Sequence, residues 1–148
     1  MTDVREQIML RLVAICDGIS SGMVVYRNRM MIAEDVRPCI VILDGEETTS
    51  ELDNNKTGIS PRRVTMTPEV YLLVDDDAED VGSVINALRA QVVHAILTDA
   101  TLTSYTLNSQ GASYTGGTFV SENGRRVNGV MELAFALTYL LRVSELVP

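Results

Sequence analysis

Residues 130–143 read VMELAFALTYLLRV, and the period of that stretch decides the fold. Met131, Leu133, Phe135, Leu137, Tyr139, Leu141 and Val143 occupy every second position, with small or polar residues between them except at Leu140. Strict alternation places one set of side chains on one face of a strand. The Ala, Leu, Met and Glu content also permits a helix. Seven consecutive in-phase positions favour a long strand with one buried face.

Working outward, residues 63–74 repeat that period. Val64, Met66, Val70, Leu72 and Val74 share a face by alternation. Pro68 interrupts them, and a residue with no N–H to donate belongs at a sheet edge or a bulge. Residues 38–44, PCIVILD, form a short continuous apolar run that suits a strand covered on both faces. The run ends at Asp44-Gly45, a turn signal. A short extended segment, Met23–Tyr26, precedes the polar turn Arg27-Asn28-Arg29.

Two stretches change period. Val4, Ile8, Leu12, Ile15 and Ile19 recur at helical spacing, with Thr2 or Asp3 to cap the start and Gly18 to stop the helix, which spans 3–16. Val81, Val84, Ile85, Leu88, Val92, Ala95 and Ile96 trace one stripe of a second helix. Asp75-Asp76-Asp77 at its front suits the positive end of the helix dipole. The rest is polar. Residues 46–61 are expected as an exposed, mobile loop. Within the Thr-, Ser- and Gly-rich stretch 98–129, Leu102–Leu107 is expected as a strand. Gly111, Gly116 and Gly117 mark a second mobile loop over about 109–127, and Asn123-Gly124 is a hairpin turn signal. The order α-β-β-β-α-β-β predicts a single α+β domain over 1–148. Its mixed or antiparallel sheet would carry two α-helices packed on one face.

Composition narrows the function. The 148 residues are 46% hydrophobic and 22% charged, a globular balance. No uninterrupted apolar run approaches the ~20 residues of a membrane span, so no membrane partner is expected. The opening MTDVREQIML has acidic residues and no long apolar run, so a secretory signal is not expected. Cys16 and Cys39 give neither a disulfide framework nor metal-ligand spacing and fit buried small hydrophobes. The net charge of −8 has the wrong sign for gripping nucleic acid through phosphates. Lys56 is the one lysine, so the cations are nearly all Arg, suited to fixed bidentate contacts with carboxylates.

Few residues point to catalysis. His94 is the one histidine, beside the apolar stripe of the second helix. No Ser-His-Asp or Cys-His arrangement and no GxSxG elbow are visible. The acidic run Asp75–Asp80 lacks the Gly and Glu of a Ca²⁺ loop, and helix capping accounts for it. GASYTGG at 111–117 lacks the Gly-Lys-Ser/Thr of a phosphate loop. No catalytic residue, metal or cofactor is therefore expected. The competing assignment, a small enzyme or metal-binding domain, would use Asp75–Asp80 and His94. Charge pairing is the stronger signal. Arg27 and Arg29, Arg62 and Arg63, and Arg125 and Arg126 form three basic clusters beside predicted strands, while Asp44, Glu46, Glu47, Glu51 and Asp53 form an acidic tract. Such loops allow a self-complementary assembly, with Arg27, Arg29, Arg62 and Arg63 set against Glu46, Glu47 and Glu51 of a neighbouring copy.

The element order, the tract Arg37-Pro38-Cys39-Ile40-Val41-Ile42-Leu43-Asp44-Gly45-Glu46-Glu47 and the segment Tyr26-Arg27-Asn28-Arg29 resemble the lambda-type tail terminator proteins of tailed bacteriophages. As an order of elements the resemblance covers nearly the whole chain. It implies a virion structural protein of the tail and neck, assembled in the host cytoplasm. Such a protein forms a homohexameric ring on the last ring of the tail tube and stops tube polymerisation. The ring offers the surface that the head-tail connector joins, and DNA passes through its lumen without sequence-specific binding. The resemblance carries over no active site. Another phage neck or tail-completion protein is the alternative with the same class of partners. The Gly-rich stretch 109–129 is longer than a minimal terminator requires.

Overall fold

The long alternating segment is a strand. In the computed structural model, which describes residues 3–19, 23–29, 38–76, 79–122 and 127–146, β5 runs over Val127–Leu141. Leu133, Phe135, Leu137 and Tyr139 are all buried on one face. β5 lies between β3, Arg62–Asp76, and β4, Ser113–Glu122, antiparallel to both. β2, Cys39–Thr49, pairs antiparallel with β3, and the short edge strand β1, Val24–Arg27, pairs parallel with β2. The result is one five-stranded mixed sheet in the order β1-β2-β3-β5-β4.

The helices α1, Val4–Asp17, and α2, Val81–Thr98, cover the face that the alternation predicts as buried. Ile8, Met9, Leu12, Ile15 and Cys16 of α1 and Val81, Ile85, Leu88, Val92 and Ile96 of α2 meet Ile40, Ile42, Val64, Met66, Val70, Leu72 and the inward row of β5. α2 enters very close to β5. A Cβ added at Gly129 would lie 2.8 Å from Val81 Cγ2, so glycine sets that approach. On the opposite face Cys39, Val41 and Leu73 form a small second cluster, which is why the run at 38–44 is apolar on both sides. By length and composition alone α2, at 18 residues and mean hydropathy 1.2, is long and apolar enough to cross a membrane. Its stripe packs on the sheet instead.

Three local expectations change. Leu102–Leu107 is not a strand. Ala100–Tyr105 form the short helix α3, because Asp99 caps it by accepting from the Leu102 N–H at 2.8 Å and Leu102 reaches the core. The stretch 109–127, expected as a loop, contains β4. Only one side of this edge strand meets the core layer, through Tyr114 opposite Phe135, while Phe119 opposite Met131 is largely exposed, so its sequence lacks a long apolar row. Asn123-Gly124 lies outside the described residues. Finally, Asp44-Gly45 does not end β2. The strand continues to Thr49 through a bulge between Leu43 and Glu46. Gly45 sits at φ +71°, and a Cβ there would collide with the Thr67 carbonyl. Pro68 falls at the same break, where no ladder donor is needed.

The start of α1 follows expectation, and that of α2 does not. Asp3 caps α1 through its side chain, accepting from the Arg5 N–H at 3.1 Å. Asp80 precedes α2 and makes no side-chain cap bond.

Candidate functional site

Of the residues singled out for charge pairing, Arg27 and Asp44 meet midway along β2, and Arg62 and Arg63 stand at its far end, because β1 runs parallel to β2 and β3 returns antiparallel. Arg27 ends β1 opposite Ile42, close to Asp44. Its Nε and Nη2 donate to the two Asp44 oxygens at 2.8 and 2.6 Å, and its Nη1 donates to Glu6 Oε1 at 2.6 Å. Asn28, at φ 57°, donates from Nδ2 to Asp44 Oδ1 and accepts from the Asp44 N–H, both at 3.0 Å. One arginine thus joins α1, β1 and β2. The pairing holds the Asp44 carboxyl below its usual 3.8, chiefly through Arg27, and raises Arg27, chiefly through Asp44 and then Glu6. Arg29 stacks over the Tyr26 ring, 5.1 Å from its centroid.

A second ionic node closes the β2–β3 loop at residues 50–61. Asp53 is 2% exposed. Its Oδ2 accepts from the backbone N–H and the Nε of Arg63, each at 2.7 Å. Its Oδ1 accepts from Arg63 Nη2 at 3.0 Å and lies 3.2 Å from Lys56 Nζ. The Arg63 guanidinium, then its backbone N–H, holds the Asp53 carboxyl well below the usual carboxylate range. Arg62 donates to the Gly58 and Ser60 carbonyls within the same loop. The loop expected as open polar chain is therefore tied together by its own hydrogen bonds.

These nodes bear on the charge pairing expected between copies. Arg27 is occupied by Glu6 and Asp44 of its own chain, and Arg63 by Asp53. Glu47 accepts from the Tyr139 hydroxyl. Burial and then Glu47 push the Tyr139 hydroxyl above its ordinary range. Arg29, Glu46 and Glu51 are exposed. Arg125 and Arg126 lie outside the described residues.

Chemistry-bearing side chains elsewhere do not converge. His94 is exposed on α2, beside an open groove of about 560 Å³ between α1 and α2 that Arg11, Gln91 and Asp99 also line. Arg11 and Asp99 are joined there by two bonds of 2.9 and 2.6 Å, which hold α1 to the start of α3. Burial pushes the Cys16 thiol up to about 12, far from a nucleophilic thiolate. Among the described residues, no group of three or more His, Cys, Asp or Glu side chains is arranged to hold a metal ion.

Three apolar side chains stand exposed with no motif or charge in the sequence to mark them. Leu52 and Ile59, in the tied loop, are 74% and 80% exposed. Val84, counted in the buried stripe of α2, is 39% exposed. The available signal was two large aliphatics inside an otherwise polar loop, a position where hydrogen bonding cannot account for them. Compared with known proteins, the chain matches no protein-family model and no curated sequence.

Proposed function

We propose that this chain is a ring-forming structural protein of a bacteriophage tail, which ends the tail tube and presents the surface for head-tail joining. One observation carries this reading. The two tracts that bear the resemblance to tail terminators, Tyr26–Arg29 and Pro38–Glu47, are bonded to each other through Arg27, Asn28 and Asp44. Those short motifs are thus a structural node rather than a site for chemistry. The net charge of −8 supports the same role, since an acidic ring does not retain a phosphate backbone passing through it. The partners are further copies of the chain in a homohexamer, the tail-tube protein below and the connector above. The location is the tail and neck of the virion.

Adding the purified chain to polymerising tail-tube protein of the same virus tests this. Tubes should stop growing, and electron microscopy should show an added ring at one end. An unchanged length distribution with bare ends would overturn the proposal.

A further inference from the structure

The sheet ends in two edge strands, β1 on one side and β4 on the other, and no described strand pairs with the outer side of either. An open edge is a row of unpaired N–H and C=O groups, which proteins commonly blunt with charge or proline. β4 carries neither from Ser113 to Ser121. Its bulge lies between Tyr114 and Gly116, and from Gly117 onward it runs in one-to-one register with β5. On β1 the one charged side chain, Arg27, is neutralised by Glu6 and Asp44 of its own chain. Each edge instead exposes an apolar side chain, Val24 at 44% on β1 and Phe119 at 43% on β4.

The two edges match each other. β1 and β2 run one way, β3 runs back, β5 returns and β4 runs back again, so β4 is antiparallel to β1. They also lie level. Cross-strand pairing runs in one row from Val25 through Ile40, Leu72 and Met131 to Phe119, and in the next from Tyr26 through Val41, Tyr71 and Glu132 to Thr118. The rows of Val24 and Arg27 reach Val120 and Gly117 in the same way. Every residue of β1 thus has a counterpart on β4 at its own level. When a second copy is set beside the first with its strand direction kept, Val25 meets Phe119 on the helix-covered face and Tyr26 meets Thr118 on the other.

We propose that β4 of one copy pairs antiparallel with β1 of the next, so that the sheet continues from copy to copy. The partner is a second copy of this chain, because each copy carries both halves of the match: opposite strand direction, a common level, and no like charges opposed. The backbone supplies the hydrogen bonds, and Val25 against Phe119 supplies apolar contact across the junction. The two edges are different patches, so the contact is heterologous and leaves one edge free at each end until a ring closes. The inference specifies the contact between copies in the proposed ring, and rests on that reading for the identity of the assembly.

Two edge-blocked variants test the contact. Val24→Lys puts a charge on the β1 edge and leaves β4 intact, and Thr118→Lys does the reverse. Each alone should keep the wild-type circular dichroism and self-associate at least about tenfold more weakly. Mixed in equal amounts, they should form a one-to-one dimer and nothing larger in native mass spectrometry, through the one intact edge that each retains. Independently, Tyr26→Cys and Thr118→Cys chains, mixed and mildly oxidised, should give a disulfide-linked pair. Thr118→Cys mixed with Leu10→Cys, a control exposed on α1, should not. The native Cys16 and Cys39 are buried and stay silent. A wild-type chain that assembles while the lysine mixture stays monomeric and the Tyr26–Thr118 cross-link is absent would overturn the edge pairing and leave the ring untouched. A wild-type chain that stays monomeric at its solubility limit and gives no cross-link would overturn it too. A cross-linked assembly of other than six copies would support the edge pairing and contradict the sixfold ring.

Discussion

The loop at 50–61 and the layer between α2 and β5 arrange the same kinds of side chain in opposite order. In the layer, Ile85, Val92, Leu133, Phe135 and Leu137 are buried. In the loop the buried side chain is Asp53, and Leu52 and Ile59 are the solvent-facing ones. One arrangement is stabilised by apolar area removed from water. The other is held by charge-assisted hydrogen bonds around one carboxylate. A fold needs the first arrangement. The second leaves apolar surface unburied within a single copy.

The difference is sharpest under substitution. Phe135→Ala removes a fully buried ring that sits 5.5 Å from the Tyr114 ring. It should cost about 3–5 kcal/mol in denaturant unfolding. Gly45→Ala forces a Cβ onto the Thr67 carbonyl at positive φ, and should cost about 1–3 kcal/mol by the same assay.

Acid acts on the ionic regions and not on the apolar layer. Asp44, Asp53 and Asp99 are each held below the ordinary 3.8 by an arginine. The folded state therefore binds fewer protons than the unfolded one near that value. The stability these carboxylates contribute is present above the ordinary value and is lost as pH falls through the depressed ones. Urea midpoints should drop between about pH 5 and pH 2, and Asp53→Asn should flatten part of that slope. The same variant should expose the 50–61 loop to limited proteolysis while the Phe135 layer stays protected.

The smallest effect on stability is expected at the exposed aliphatics of the loop. Leu52→Ser and Ile59→Ser should leave the unfolding midpoint within about 0.5 kcal/mol of wild type. A large loss there would mean that the two residues serve the fold, and the contrast with the α2–β5 layer would collapse.

Period made most of the fold legible in sequence. Residues 131–139 and 64–74 alternate because each strand has one face on the helices, and that pattern needs no knowledge of the partner strand. β4 left no such trace, since an edge strand with Gly116 and Gly117 draws its place from pairing with β5. Asp44-Gly45 reads as a turn by composition, but the same positive-φ glycine serves a bulge, and the choice depends on where β3 lies. Of the residues expected to pair between copies, charge alone did not reveal that Arg27 and Arg63 find carboxylates at home. Those contacts form across 17 and 10 residues of chain, which residue type does not encode.

Native mass spectrometry of the wild-type chain over a range of concentration and salt probes the ring directly. A species of six times the 16.2 kDa chain, weakening as salt rises, is the predicted result. A stable twofold dimer that persists on dilution would contradict it.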